Sequence, residues 1–562
     1  MSESGRRIVR ASLVVMAAHL IFKFSGFLQA LVLARVCTPL QLELFTFGFE
    51  SVLFTIYLVG EEGLGPAFLP VFMEERDKRG EAPAWGFASS LLTLQAVVLA
   101  VVVSLAMLLP EDVVALLTDW DERPGRAAEK LAGAPGVVRW MIPGLFGLSI
   151  GSTTYLILNG YKRFFLAALG DASVKLAIIA AAALGYAMEE PILPWLAGGV
   201  VLGGLAKVVT HLAGLSGEIG RFRPRAAFGS PAFRRFALLV LPLLVGIVFA
   251  KARDWYNETW VLSTLPGTLI SINKYGKKLF QTIGWLVPYS ASIAMYPFFC
   301  EMVDRADRRG LARVATTGCH IIAILCVPLT ATVVALSLPM VRQIYENPNF
   351  DLAMCRQAAL ANAAFTLVLP FYALEYVFMQ TYFSNRRMWT PILLGLLCSS
   401  FSMALAYLGG VLFVGETAAF LSGLGLFAPG DTGSAGIVAV GMDYTLSRVL
   451  KVVLLAGMMK RFLPELDGRH AASFLGRILL AGALAGAAVY GVRLGYEGMV
   501  DTTATHSFGA NLQVLGPLMV LAGLAGLGVY VAALRLFCPT EWAQTVHWTG
   551  ERIRAWRAKR EG

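Results

Sequence analysis

The feature that most constrains this chain is a near-continuous succession of apolar runs, each long enough to cross a lipid bilayer. Runs of roughly twenty residues that exclude charge for most of their length have no place in a water-soluble fold. They lie near 8–37, 43–73, 84–109, 137–160, 164–187, 193–215, 236–263, 267–299, 313–338, 356–383, 389–414, 435–459, 471–492 and 512–537. The hydrocarbon core offers no water to backbone N–H and C=O groups, so each run reads as a helix. The predicted fold class is an all-α integral membrane protein with about fourteen transmembrane helices. Composition agrees, with 57% hydrophobic and 15% charged residues among 562. The first run follows Arg6 and Arg7, exceeds a signal-peptide core in length and lacks a small-residue cleavage site, so it is expected to be retained.

The formal net charge of +10 does not point to nucleic acid, because the basic residues sit in short loops between apolar runs. With the N-terminus in the cytoplasm, about 29 Lys/Arg fall inside and about 7 outside. The inside loops include 74–79, Lys162-Arg163, 221–235, 305–313, Arg386-Arg387 and the tail 552–560. Both termini are therefore expected in the cytoplasm, and one miscounted helix would scramble the asymmetry.

An internal repeat supports the same count. The second run ends Pro66-Ala67-Phe68-Leu69-Pro70-Val71-Phe72 and the eighth ends Ile293-Ala294-Met295-Tyr296-Pro297-Phe298-Phe299, each before a charged loop. Six helices per repeat give two parallel bundles, with helices thirteen and fourteen outside them. The predicted domains are 1–220 and 221–465 for the bundles, 466–540 for the last two helices, and 541–562 for a basic tail.

Ionisable residues inside the runs carry the functional signal, since each costs roughly 2.5–3.5 kcal/mol at mid-bilayer unless it faces protein or a wet cavity. Lys23, Lys251, Arg253, Lys274, Lys277 and Lys278 form the densest cationic set. Lys274, Lys277 and Lys278 have the i, i+3, i+4 spacing of one helix face. Such a set suits a phosphate or pyrophosphate head group. The structural alternative is charge pairing, for which Lys251 and Asp254 have the spacing. Arg35, Lys207, Arg448 and Lys451 read as snorkelling towards an interface. Gly26, Gly63, Gly65 and Pro66 mark breaks or bends of the kind found beside transport cavities, or else close helix packing. Glu61 and Glu62, next to them, are weak candidates for a proton or cation path.

Other motifs carry less. Asp119-Trp120-Asp121 reads as a solvated turn, and His19, His211 and His320 lack neighbours at metal-ligand spacing. The seven cysteines read as small hydrophobes without a disulfide framework. No catalytic constellation or bound metal is expected, and the chain reads as a non-enzyme.

The stretch from Lys23-Phe24-Ser25-Gly26-Phe27 to Ala34-Arg35 resembles the first-helix motif of the MurJ (MviN) lipid II flippases of the MOP exporter superfamily. Phe45 to Phe72, through Glu61-Glu62-Gly63-Leu64-Gly65-Pro66-Ala67-Phe68, resembles their second-helix segment, and a third match runs from Leu241-Pro242 through Lys278 to Pro297. The resemblance implies a V-shaped bundle with a central cationic cavity, alternating access, and a groove for a lipid tail at the last two helices. By position, Lys23 and Lys278 match cavity arginines. It further implies a sodium-linked site near Asn257, Glu258 and Thr445, so that the expected cofactor is none beyond a coupling sodium ion or proton. Departures fall at Gln29-Ala30 and Ile56-Tyr57, where the family carries charged residues, and at Glu50, where it is usually basic.

The expected function is a flippase moving a polyprenyl-pyrophosphate-linked saccharide, lipid II-like, to the outer leaflet of the bacterial inner membrane. The competing readings are an O-antigen or exopolysaccharide repeat-unit flippase and a non-transporting scaffold of the same fold. Expected partners are the lipid-linked saccharide, membrane lipids and proteins of cell-wall or polysaccharide synthesis, with no nucleic acid and a monomeric state.

Overall fold

The computed structural model describes residues 25–120, 127–284, 299, 302–303, 305–385, 387, 389–466, 468–502, 507–539 and 541–542. They are helical almost throughout, and each of the fourteen predicted segments contains helix. The chain divides into two compact units, Met1–Lys274 and Tyr275–Gly562.

The first unit contains α1 (Ser25–Val36), α2 (Pro39–Thr46), α3 (Phe54–Arg79), α4 (Glu81–Leu108), α5 (Pro110–Leu117), α6 (Ala127–Met141), α7 (Gly144–Gly160), α8 (Phe164–Ala187), α9 (Ile192–Gly214) and α10 (Pro231–Trp255). The unit boundary falls inside α11 (Leu269–Gly284). The second unit continues with α12 (Arg308–Ala335), α13 (Ser337–Tyr345), α14 (Leu352–Thr366), α15 (Leu369–Ser384), α16 (Trp389–Tyr407), α17 (Val414–Gly423), α18 (Thr432–Met459), α19 (Gly468–Met499) and α20 (Phe508–Phe537).

Among the described residues, ten helical stretches are long and apolar enough to cross a membrane, and α6 with α7, bent by 43°, gives an eleventh. The other three predicted spans are occupied by α1, α11 and α18. Of these, α18 is interrupted by Asp443, Arg448 and Lys451. Exposed apolar stripes run along two of the spans. On α10, Leu238, Leu241, Val245 and Val248 are exposed at helical spacing, and Val97, Val101, Leu105 and Leu108 repeat the pattern on α4.

Small residues set the closest helix contacts, as expected where lipid removes the hydrophobic drive between helices. A Cβ added at Gly147 of α7 would lie 2.5 Å from the Gly204 carbonyl carbon of α9. At Gly63 it would meet Leu244 Cδ2 of α10 at 2.6 Å, whereas at Gly26 no described atom lies within 4 Å. The α-helix α3 continues through Gly63, Gly65 and Pro66, although Pro66 has no N–H to donate. The irregular part of this span is upstream, a π-helical segment at Phe47–Leu53. A second π-helical segment, Tyr256–Val261, continues α10, and Thr259 Oγ1 donates to Ser51 Oγ at 2.9 Å to join the two.

Loops predicted on the same side of the membrane meet one another. In the first unit Arg235 pairs with Glu74 at 3.0 Å, Arg76 donates to the Gly160 carbonyl at 2.8 Å, and Arg163 pairs with Glu218 at 2.9 Å. At the other end, Trp255 Nε1 donates to the Leu117 carbonyl at 3.0 Å and the Asp119 backbone N–H donates to Ser263 Oγ at 2.6 Å. In the second unit Arg342 donates to the Thr502 carbonyl at 2.6 Å, and Arg477 to the Phe537 carbonyl at 2.9 Å. These contacts are of the kind that loops sharing one side of the membrane make. Trp120 departs from the expected solvated turn. It is buried against Phe47, ring centroids 5.0 Å apart, with the Lys130 ammonium 5.2 Å from its ring centroid.

Candidate functional site

Lys23 lies outside the described residues. The other predicted head-group cations occupy α10 and α11. Lys251 does not pair with Asp254, as its spacing suggested. Its ammonium lies 2.8 Å from Glu62 of α3, and Arg253 Nε instead donates to Asp254 at 3.1 Å. The reason is tertiary: α3 packs beside Lys251 and offers it the Glu62 carboxylate, while Asp254 is taken by the neighbouring Arg253. Lys274 ion-pairs with Glu258 at 3.1 Å.

The second unit holds Lys277 and Lys278. Lys277 is buried, its ammonium 5.1 Å from the Phe365 ring centroid and 5.5 Å from that of Tyr444, while Lys278 lies 5.9 Å from that of Tyr275. Aromatic faces attract cations by their quadrupole and thereby hold charge inside a span. The three α11 lysines thus differ in role despite their spacing, one facing a carboxylate and two facing rings.

Asn257 and Glu258 lie in the second π-helical segment, a type of irregularity common at functional sites. Thr445 belongs to α18 of the other unit, and its hydroxyl donates to the Ala364 carbonyl at 3.0 Å. As donors for sodium these residues fit poorly, because the Lys274 ammonium already neutralises the Glu258 carboxylate.

Two buried charge networks replace the predicted snorkelling. Lys207 is 1% exposed, so it does not reach an interface. Its ammonium lies 2.7 Å from Asp171 of α8 and donates to the Tyr57 hydroxyl of α3 at 2.9 Å. One turn on, His211 Nδ1 lies 2.9 Å from Thr154 Oγ1 of α7, and its Nε2 lies 3.0 Å from the Ala167 carbonyl. Glycines make the room: a Cβ at Gly151 would lie 2.7 Å from Lys207 Cδ, and one at Gly170 would lie 2.2 Å from His211 Nε2. In the second unit Glu375 of α15 binds Lys451 at 2.6 Å and also Arg448, both from α18. These two cations are likewise drawn inward, because a carboxylate on the neighbouring helix is a better partner than a distant head-group layer.

Sequence reading missed Asp171 and Glu43. A carboxylate at 171, one turn before Lys175 within an apolar run, was a visible signal. Glu43 is fully buried and accepts from the backbone N–H of Ser271 at 2.7 Å and of Ile270 at 3.3 Å, with Lys130 3.6 Å away. It therefore caps the N-terminus of α11 from 228 residues earlier in the chain, where a negative charge complements the helix dipole.

The second unit also holds an apolar groove of about 740 Å³, lined by Val327 and Val334 of α12, Pro370 and Phe371 of α15, and Leu479 and Tyr490 of α19. It includes Arg493, which donates to the Ala335 carbonyl at 3.2 Å. The thirteenth predicted helix, α19, contributes to this groove, and the fourteenth packs elsewhere through Leu515, Leu518 and Ala522 against Val489 and Leu336.

A multi-span, all-α membrane fold with charges buried between its helices is the architecture of the MOP-type transporters. A solved lipid II flippase MurJ in an inward closed conformation matches with a TM-score of 0.71 at 18% identity, covering 93% of this chain and 98% of that one. An inward-facing multidrug resistance MATE family transporter of the MOP superfamily matches with a TM-score of 0.64 at 10% identity, covering 80% and 98%. In sequence, the chain is 24% identical to a probable lipid II flippase MurJ of Vibrio cholerae over 95% of this chain and 96% of that protein. It is 22% identical to a probable lipid II flippase MurJ of Bdellovibrio bacteriovorus over 96% of each. The family model for lipid II flippase MurJ matches residues 39–507, and the chain belongs to that family.

Proposed function

We propose that this protein moves lipid II, a polyprenyl-pyrophosphate-linked saccharide, from the inner to the outer leaflet of the bacterial inner membrane by alternating access. The observation that carries the reading is the set of cations on α10 (Lys251 and Arg253) and on α11 (Lys274 in the first unit, Lys277 and Lys278 in the second), none of them fully exposed. Cations in such places need an anionic partner, and a phosphate can take the place of the carboxylates that now hold Lys251 and Lys274. Lys23, on the first predicted span, joins them in this reading.

The groove lined by α12, α15 and α19 is assigned to the lipid tail, because its lining is mainly apolar, with Arg493 among it. Each lysine acts as a point charge on the pyrophosphate, without the bidentate fork of arginine. Glu62 and Glu258, now paired with Lys251 and Lys274, release those ammonium groups as the phosphates arrive. Both termini face the cytoplasm. The protein works as a monomeric transporter rather than an enzyme, beside the proteins of cell-wall synthesis.

The test is rescue of bacteria depleted of their own lipid II flippase, with outer-leaflet lipid II read directly. Wild-type chain is expected to rescue, and Lys23→Gln with Lys278→Gln to abolish rescue at unchanged membrane abundance. Well-inserted wild-type protein that fails to rescue overturns the lipid II assignment.

A further inference from the structure

The stretch 221–235, which leads into α10, carries Arg221, Arg223, Arg225, Arg234 and Arg235 and no acidic residue. These arginines divide by partner. Arg221 pairs with Glu81 at 3.4 Å and Arg235 with Glu74 at 3.0 Å. Arg223, Arg225 and Arg234 are exposed, and among the described residues no carboxylate lies within ion-pair distance of any of them.

Their depth follows from the helix faces beside them. The Arg223 backbone N–H donates to Ser89 Oγ of α4 at 3.2 Å, and that of Arg225 donates to Thr93 Oγ1 at 3.2 Å. Ser89 and Thr93 share one face of α4, and that face continues as Val97, Val101 and Leu105, which are 59%, 54% and 52% exposed. The loop is thus fastened to a face that changes from hydroxyls to exposed aliphatics one turn further on. Arg234 repeats the relation on α10, one turn before Leu238 and in line with Leu241, Val245 and Val248. One turn is about 5.4 Å, and the head-group layer is roughly 5–8 Å thick on each side of the hydrocarbon. Both helices therefore bring exposed arginines to head-group height.

The Arg225 side chain agrees with that placement. A Cβ added at Gly86 would lie 3.0 Å from Arg225 Nη1. The backbone is held at Thr93 while the guanidinium turns back to Gly86, about 10 Å along α4 towards its charged end. An arginine adopts this course where its stem borders hydrocarbon and its charge seeks phosphate or water. Aromatic rings brace the loop from the other side. The centroid of the exposed Phe228 lies 5.2 Å from that of Phe233, which is 5.9 Å from Phe236, and Phe236 is 5.6 Å from Phe87 of α4.

We propose that Arg223, Arg225 and Arg234 form a docking site for anionic phospholipids of the leaflet that borders this end of the first unit. Their guanidinium groups donate charge-assisted hydrogen bonds to the lipid phosphates, and the acyl chains lie along the Val97 and Leu238 stripes. A soluble acidic partner would reach the charges and leave those aliphatic faces uncovered, whereas a phospholipid covers both. The site holds the start of α10, the helix that carries Lys251 and Arg253, at the membrane surface. It does not depend on the identity of the transported cargo.

The experiment is native mass spectrometry of the full chain in detergent, titrated with dioleoyl phosphatidylglycerol or dioleoyl phosphatidylcholine. Wild type is expected to retain phosphatidylglycerol in preference to phosphatidylcholine. One basic residue beside an anionic lipid surface is worth roughly fivefold in affinity, so Arg223→Gln, Arg225→Gln and Arg234→Gln together should weaken phosphatidylglycerol by at least about tenfold and leave phosphatidylcholine unchanged. Lysine at the same three positions keeps the charge and should stay within about threefold of wild type, which preserves the test if the glutamine variant inserts poorly. The charge-matched control is Arg308→Gln, Arg309→Gln and Arg313→Gln, on exposed arginines of the second unit, and it should change the preference by less than about twofold. Equal weakening by the two glutamine variants would mean diffuse attraction and overturn the site, as would a wild type without preference. Full displacement of phosphatidylglycerol by equimolar glycerol 3-phosphate would make it a site for soluble phosphate and overturn the lipid assignment.

Discussion

The Lys207 ammonium lies 2.7 Å from Asp171 Oδ1, joining α9 to α8 where both are otherwise packed through small residues. A lysine at 1% exposure without its carboxylate would be a bare charge in a low-dielectric interior. Asp171→Ala is therefore expected to destabilise the protein by about 3–5 kcal/mol. Thermal unfolding in detergent checks this. Adding Lys207→Met, which keeps the aliphatic stem, should recover at least half of the loss, and no recovery would place the cost elsewhere.

Gly147 tests backbone contact. Its added Cβ would stand 2.5 Å from the Gly204 carbonyl carbon, and a main chain cannot swing aside as a side chain can. Gly147→Ala is expected to cost about 1–3 kcal/mol by overpacking. Gly198→Ala, whose Cβ meets nothing within 4 Å, is the matched control and should be neutral or slightly stabilising. Equal melting temperatures for the two variants would contradict the α7–α9 contact.

Tyr161→Phe probes a loop cluster. The Tyr161 hydroxyl receives the Trp85 indole N–H at 2.9 Å and donates to Glu81, and burial together with that acidic partner pushes its ionisation up to about 12. Trp85 is 1% exposed, so its N–H has no water to turn to when the hydroxyl goes. The expected loss is about 1–3 kcal/mol. A companion Trp85→Phe, Tyr161→Phe pair should cost less than the sum of the single changes.

Lys251 and Glu62 form a partly exposed pair, with side-chain exposures of 16% and 47%. Such pairs contribute less than about 1 kcal/mol. Lys251→Gln should leave the melting temperature within a few degrees of wild type while lowering rescue of flippase-depleted cells. A large drop in stability would make Lys251 a structural residue.

The all-helical membrane fold was legible, with helix in each of the fourteen predicted segments, because it rests on composition over many residues. Individual partners were not. Lys251 pairs with Glu62 across 189 residues rather than with Asp254 one turn away, since helix rotation and the identity of the packed neighbour decide it. Arg448 and Lys451 turned inward because Glu375 stands on the facing helix, a fact of tertiary packing. Tyr57 stands where the family resemblance leads one to expect an arginine, yet the place is not without charge: Lys207 brings its ammonium 5.0 Å from the Tyr57 ring centroid from another helix. The π-helical turns at Phe47–Leu53 and Tyr256–Val261 follow from no local composition signal, and the second of them holds Asn257 and Glu258.

The contact between Arg235 and Glu75, 160 residues apart, has a bearing on how the chain is made. Glu75 is integrated early and Arg235 much later, with several spans threaded between them. They can meet only if an even number of those spans has crossed, because a single missed crossing strands the two side chains on opposite faces of the bilayer. The contact is therefore open only to a correctly threaded chain; in a mis-threaded one Glu75 would keep no arginine partner from α10, only Arg79 of its own helix at 3.5 Å.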